Sequence, residues 1–467
     1  MRAWAVAAVL ALTACDRKAS TPTLFELLPP TLTGVTFANE LPEKADFNIL
    51  NYLYYYNGGG VAVGDIDGDG LPDLYFTSNL GPDRLYLNKG NYKFEDVTQR
   101  AGVAGPPGWK TGVTMADVNG DGRLDMYVSA IDYLTMHGHN VLYINNGDGT
   151  FTDRTEQFGL QFAGYSTQAL FFDYDGDGDL DMYLLNNSNH AERGVTTHPQ
   201  REVRNSKAGD RLYRNDGGHF VDVSEKAHIY GGVEGYGLGV VASDLNLDGC
   251  PDLYVSNDFQ ENDFVYINNC DGTFTESIGK AMGHTSRFSM GVDAADFNND
   301  GRPDLMVVDM LPAQEKILKT SANAERFDLY NMKVKAGYHH QLARNTLQLN
   351  RGKGRFSEIG YLAGVYATDW SWAPLFADLD NDGYKDLFVS NGIYRRPNDM
   401  DYLNYVSSDA IQASLANGVT EANLILLRKM PQVPVANFAF RNNRNLTFTN
   451  MAQAWGLGQP GFSNGAV

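Results

Sequence analysis

The sequence predicts an all-β propeller, built from six blades that each carry a metal loop. Three observations carry this. A nine-residue Asp/Gly motif occurs six times along 467 residues. Short runs of strand-forming residues flank every copy. An Asn/Gly turn between two further strand-like runs follows every copy, so each unit offers four strands.

The motif copies are 65–73 (DIDGDGLPD), 117–125 (DVNGDGRLD), 173–181 (DYDGDGDLD), 244–252 (DLNLDGCPD), 296–304 (DFNNDGRPD) and 378–386 (DLDNDGYKD). Each has an oxygen side chain at positions 1, 3, 5 and 9 and Gly at position 6. The candidate ligands are Asp65, Asp67, Asp69 and Asp73, then Asp117, Asn119, Asp121 and Asp125. They continue as Asp173, Asp175, Asp177 and Asp181, then Asp244, Asn246, Asp248 and Asp252. Asp296, Asn298, Asp300 and Asp304, and Asp378, Asp380, Asp382 and Asp386, complete the set. Alternate oxygens on a sharply bent loop converge on one cation, with the position 7 carbonyl as a further ligand. Calcium accepts six to eight such ligands in a flexible shell, whereas magnesium gives up water reluctantly. About six Ca2+ sites are therefore expected. Position 12 carries Phe, Val or Leu where a helix-flanked calcium loop wants Glu, and strand-like residues stand on both sides.

The units then run on through segments such as "LYLNKGNYKFEDVTQRAGV" (85–103) and "VYINNCDGTFTESIGKAMG" (265–283). Start-to-start spacings of the motif are irregular because 187–210, 309–345 and 391–437 are inserted between second and third strands. Those insertions belong on one face of a propeller and the metal loops on the other. Long loops on a rigid scaffold are the usual place for binding, and "SSDAIQASLANG" and "TEANLILLRKM" inside the last insertion read as helices.

The ends read differently. "MRAWAVAAVLALTAC" has one basic residue and a short apolar run, the shape of a secretory signal ending in a lipobox, with Cys15 as the lipidated residue. Residues 1–15 are thus expected to be a lipoprotein signal peptide, 16–30 a polar tether, and 31–467 the propeller with an incomplete last blade. "LTGVTFANEL" (32–41) is expected to be a stray fourth strand, and "GFSNGAV" the start of a seventh unit in a truncated chain. The membrane is met only through the lipid anchor, outside the cytoplasm, in the periplasm, at the outer membrane or on the cell surface. A net charge of −20 argues against nucleic acid as partner.

Single residues are read with restraint. Cys250 and Cys270 mirror each other about a hairpin turn near Gln260, which predicts a disulfide in an exported protein. Trp370 and Trp372 lie beside a strand and are expected in blade packing. His339 and His340 fall in a polar loop and are expected to be solvated, and no triad order, HExxH or phosphate loop occurs.

"YNGGGVAVGDIDGDGLPDLYF", "DMLP", "RNTLQLN" and "TDWSWAPLFADLDNDGYKDLFVSNGI" give the chain a close resemblance to the FG-GAP/VCBS-repeat propellers, the fold of integrin α-chain heads. More narrowly, it resembles bacterial lipoproteins similar to the cartilage acidic protein family, whose members usually continue into an ASPIC/UnbV domain. The resemblance implies a binding or adhesion module for a protein or glycan ligand, with no catalytic residues. The alternative is a lyase-like, polysaccharide-active enzyme on the same scaffold, which needs a base and cationic side chains at the blade axis.

Overall fold

The computed structural model describes residues 23–189, 200–322, 325–416 and 418–467. Cys15 and the signal segment lie outside the described residues, as do residues 16–22 of the tether. Among the described residues, six sheets of four main strands follow one another in chain order, each a simple antiparallel meander. Blade 1 is Val61–Gly64, Asp73–Phe76, Arg84–Asn88 and Phe94–Asp96. Blade 2 is Trp109–Ala116, Asp125–Tyr133, Val141–Asn145 and Phe151–Asp153, with Met136–His137 folded back on its second strand. Blade 3 is Ser166–Phe172, Asp181–Asn186, Arg211–Asn215 and Phe220–Asp222. Blade 4 is Gly237–Ser243, Asp252–Asn257, Phe264–Asn268 and Phe274–Glu276. Blade 5 is Gly291–Ala295, Asp304–Val308, Thr346–Asn350 and Phe356–Glu358. Blade 6 is Ser371–Ala377, Asp386–Asn391, Phe438–Asn442 and Phe448–Asn450.

Second strands such as Asp181–Asn186 and Asp252–Asn257 are buried at every position, because neighbouring blades cover both of their faces. This is why they lack a clean polar/apolar alternation. Between blades 3 and 4 the core is Phe172, Tyr183, Leu185 and Leu212 against Val240, Leu253, Val255 and Phe264. First strands converge on the axis, where side-chain volume is scarce. A Cβ added to Gly291 would lie 2.1 Å from the Trp372 carbonyl oxygen, and one on Gly112 would lie 2.4 Å from that of Thr167. Around the axis these strands leave a cavity of about 300 Å³, roofed by Tyr52, Tyr54 and Trp109.

A seventh segment, Asn464–Ala466, lines that cavity beside the six first strands. Ser463 donates its N–H to Asn391 in blade 6, and Asn464 donates to the Tyr56 carbonyl beside blade 1. At the rim of the same sector, the Phe25 N–H donates to the Trp455 carbonyl. Phe220 makes the matching bond to Phe158, and Phe274 to Ala227, so Phe25 stands where an outer strand follows blade 6.

This corrects the reading of 32–41 as a fourth strand. Pro30–Thr33 is a helical turn, closed by Gly34 at φ 79°, and no strand forms over 34–41. Proline at the first helical position favours the turn and left-handed glycine ends it.

The insertions leave the ends of second strands opposite to the metal loops, as antiparallel pairing requires. Met400–Val406, Asp409–Leu415 and Leu424–Leu427 are helices of the last insertion. The first and last of these pack with residues 47–56 over the axis, where Phe47, Tyr52, Tyr55, Trp109, Tyr402 and Leu427 share one core. Ion pairs fasten the insertions to the blades and to the N-terminal segment. Arg396 meets Asp369 at 2.6 Å, Arg395 meets Glu43 at 2.7 Å, and buried Arg201 pairs with Glu261. Trp372 is buried in the blade core and donates to the Gly392 carbonyl, and Trp370 packs beside it. His340 is exposed and bonded to Tyr330, but His339 differs from expectation. It is half-buried with Nε2 unpartnered, and burial pushes its pKa down. No helix among the described residues is long and apolar enough to cross a membrane.

Candidate metal centres

Each loop is folded by its own aspartates. Asp65 at position 1 accepts N–H bonds from Gly68, Asp69 and Gly70 at 2.9–3.1 Å. Asp117, Asp173, Asp244, Asp296 and Asp378 likewise accept from the glycine at position 6. That glycine has φ between 81° and 94° in all six loops, which only glycine adopts freely. At position 5 the carboxylate accepts the N–H of position 7, as Asp69 does from Leu71 and Asp382 from Tyr384.

Position 9 lies deepest. Asp73, Asp125, Asp181, Asp252, Asp304 and Asp386 are fully buried. Each accepts the N–H of an Asn that ends the third strand: Asn88, Asn145, Asn215, Asn268, Asn350 and Asn442. Burial, followed by backbone hydrogen bonds that oppose it and neighbouring aspartates that add to it, pushes Asp125 up to about 6 and Asp181 and Asp252 up to about 7. A buried carboxylate in an acidic loop lacks compensating charge, which a divalent cation would supply.

The donor set fits calcium. In 65–73, 173–181 and 378–386 the carboxylates of positions 1, 3 and 9 bring oxygens within 4.8 Å of one another. Asp69, Asp177 and Asp382 at position 5 stand outside that group. Asp380 Oδ1 at position 3 is buried and unpartnered, an orphan a cation would satisfy. All donors are oxygen, the preference of hard cations. In the other three loops Asn119, Asn246 and Asn298 accept the N–H of position 5.

The third-strand asparagines are functional in the architecture and were not singled out from the sequence. Asn145 Nδ2 donates to the Ile66 carbonyl of the preceding blade's loop at 2.9 Å and to Leu124 of its own at 3.2 Å. Asn215, Asn268, Asn350 and Asn442 repeat both contacts. Asn88 reaches only Pro72 of its own loop among the described residues. The signal was present as the Asn ending "LYLN", "LYIN", "LYRN", "VYIN" and "LQLN".

The expected disulfide is present. Cys250, at position 7 of the fourth loop, joins Cys270 in the turn after the third strand.

At the other end of the same hairpins, Asp83, Asp210 and Asp263 cap the second–third connection. Asp210 accepts the Asn186 N–H and the Tyr183 hydroxyl, both at 2.8 Å, and burial raises it to about 7. Asn140, Asn345 and Asn437 hold the equivalent place in blades 2, 5 and 6.

A family model described as FG-GAP-like repeat matches residues 65–128, 131–184, 244–307 and 336–389, about half of the chain. Cartilage acidic protein 1 of Xenopus tropicalis is 29% identical over 209 residues, 44% of this chain and 29% of that protein. Those of Mus musculus and Homo sapiens are 30% identical over 213 and 209 residues, 44% of this chain and 29% and 28% of theirs. The chain thus spans less than a third of the length of these relatives. Among solved structures, an Agrocybe aegerita lectin that recognises non-reducing terminal N-acetylglucosamine aligns over 85% of this chain and 82% of its own, with TM-score 0.41 and 14% identity. The Photorhabdus luminescens Tc holotoxin pore aligns over 71% of this chain and 13% of its own, with TM-score 0.34 and 18% identity.

Proposed function

From the premise that the chain belongs to the FG-GAP-like repeat family, we propose a calcium-stabilised binding module, held outside the cytoplasm by a lipid on Cys15 and binding a protein or glycan through its insertion face. Calcium would clamp the first and second strands of the blades at one end. The opposite end would then be a stiff platform for the ligand.

One observation carries the binding reading. The insertions present large apolar side chains to solvent: Phe327, Met332, Met400, Leu403, Tyr405 and Ile425. Phe327 and Met332 lie on a helix held by the Lys333–Glu325 pair, and the last insertion is tied to its blade by Arg396–Asp369. Exposed apolar side chains gathered on one face favour a contact surface.

The test is binding of the calcium-loaded protein to arrayed glycans and to surface proteins of its source, with Leu403→Ser/Tyr405→Ser compared. Binding lost in the variant, at unchanged melting temperature, is the expected result. Undiminished binding overturns the insertion-face reading. Incubation with acidic polysaccharides addresses the lyase alternative, for which unsaturated products would have to accumulate.

A further inference from the structure

We propose that the axial cavity is a binding pocket for one uncharged sugar ring, the terminal unit of a neutral glycan, entered from the metal-loop end. This site lies apart from the insertion face and goes beyond the function proposed above.

The cavity measures about 300 Å³, at the small end of ligand pockets, which suits one ring rather than a chain. Its roof is aromatic. Tyr52 and Trp109 meet edge-on with ring centroids 5.6 Å apart, and Tyr54 stands 6.1 Å from Tyr52. Phe47 and Tyr55 pack on Trp109 at 5.0 and 5.2 Å, so the roof is ordered before any ligand arrives. Aromatic rings beside a few polar groups match a sugar, whose C–H faces are apolar and whose edges carry hydroxyls.

Polar groups on the wall are left over. Trp109 and Tyr52 are 1% and 5% exposed, yet neither the Trp109 indole N–H nor the Tyr52 hydroxyl has a hydrogen-bond partner among the described residues. Their neighbours differ. The Tyr54 hydroxyl donates to Asp258 at 3.2 Å, and the Trp372 indole donates to the Gly392 carbonyl at 2.7 Å.

One ring of positions supplies a further polar group. Five residues before each loop stand Gly60, Gly112, Gln168, Gly239, Gly291 and Ala373, and all six line the cavity. A Cβ on Gly60 would lie 2.8 Å from the Val113 nitrogen, and one on Gly239 would lie 3.0 Å from the Gly291 Cα. Neighbouring strands thus keep this level bare, and blade 3 alone carries a long side chain there. Gln168 is half-buried, and its amide makes no hydrogen bond among the described residues. A carboxamide offers a donor and an acceptor together, which suits a hydroxyl that is both. First strands add backbone groups, since each pairs with a second strand along one edge only.

Charge narrows the class. Among the described residues no charged side chain lines the cavity, so an anionic sugar would find no countercharge. The mouth lies at the metal-loop end, because the first strands become more exposed towards it. Trp109–Ala116 begins with two buried residues and continues with six part-exposed ones, and Gly291–Ala295 is part-exposed after its first residue. Each first strand there enters an acidic loop. Three or four carboxylates per loop exceed the charge of one divalent cation, so the entrance repels anions.

Saturation-transfer NMR on the whole calcium-loaded protein tests this, with glucose, galactose, mannose and glucuronate as probes. At least one neutral sugar should show saturable transfer, with a dissociation constant on the order of 1–10 mM. Glucuronate should bind at least about tenfold more weakly. Gln168→Leu should weaken the neutral sugar at least about tenfold at unchanged melting temperature, since that amide has no bond to lose. Ala373→Met, which fills the cavity from another blade, should abolish transfer. Where Ala373→Met does not fold, Gln168→Leu alone decides. A cavity that holds only water gives no saturable transfer with any sugar, and that result overturns the inference. Equal binding of glucuronate overturns it, as does binding that survives Gln168→Leu. If Leu403→Ser/Tyr405→Ser removes the sugar and Gln168→Leu does not, the axial site fails while the insertion-face function stands.

Discussion

Asn145 and Ile66 stand 79 residues apart, yet the Asn145 amide meets the Ile66 carbonyl at 2.9 Å and thereby staples the metal loop of one blade to the next blade. Ile66 is position 2 of the first loop, and its own N–H is held by Asp73 at 2.9 Å. Loop order and blade order are thus one network. A cation that fixes position 9 also fixes the carbonyl that the neighbouring blade grips.

The staple predicts an asymmetry among equivalent asparagines. Asn268→Ala removes bonds to Tyr174, to Pro251 and to the Cys270 N–H, and leaves buried polar groups unpaired. The expected loss is about 2–4 kcal/mol in denaturant unfolding. Asn88→Ala should cost less, since Asn88 reaches no preceding blade among the described residues.

The buried hairpin caps predict a pH slope unrelated to metal. Burial raises Asp210 and Asp263 to about 7 from an ordinary 3.8, so the folded chain keeps protons that the unfolded chain releases. Their contribution is fully present below about pH 4 and is lost as pH rises through about 7. In saturating calcium, stability should therefore fall between pH 5 and 7. Asp210→Asn, which copies Asn140 of blade 2, should remove up to about 1.4 kcal/mol per pH unit of that slope. An unchanged slope would show that Asp210 is ionised in the fold.

The covalent clasp predicts a defined cost of reduction. Cys250 and Cys270 are separated by 20 residues, and opening such a loop costs about 3 kcal/mol. Peptide mapping under non-reducing conditions should recover the joined pair. Alkylation of both cysteines as free thiols would contradict it.

The propeller was legible because its repeat is written in residues with few alternative uses. Asp at alternate positions around Gly70 and its equivalents has no place in a helix or a core, so six copies fix both loop and blade count. Cys250 and Cys270 were legible for the same reason, being mirrored about one hairpin. The sequence places the N-terminal segment wrongly because "LTGVTFANEL" resembles the outer-strand segment "FEDVTQRAGV", while the strand position itself belongs to Phe25. The third-strand asparagines went unassigned because Asn before a turn has a sufficient local explanation. Its amide contact across 79 residues becomes visible only when two blades stand side by side. His339 was misjudged because polar neighbours in sequence do not report burial by the blade 4 connection, where Asn262 receives the His339 N–H.

Whether the six acidic loops hold calcium is tested by calorimetry of the whole chain in excess EDTA and then in excess calcium. At a hundredfold excess over Kd each occupied site adds about 2.7 kcal/mol to the folded state. Three sites or more should therefore raise the melting temperature by roughly 10 °C for a chain of this size. That rise is the expected result, with its loss on chelation and its partial loss in Asp73→Ala, where one site is weakened and the others stay filled. Superimposable melting curves with EDTA and with calcium would contradict it.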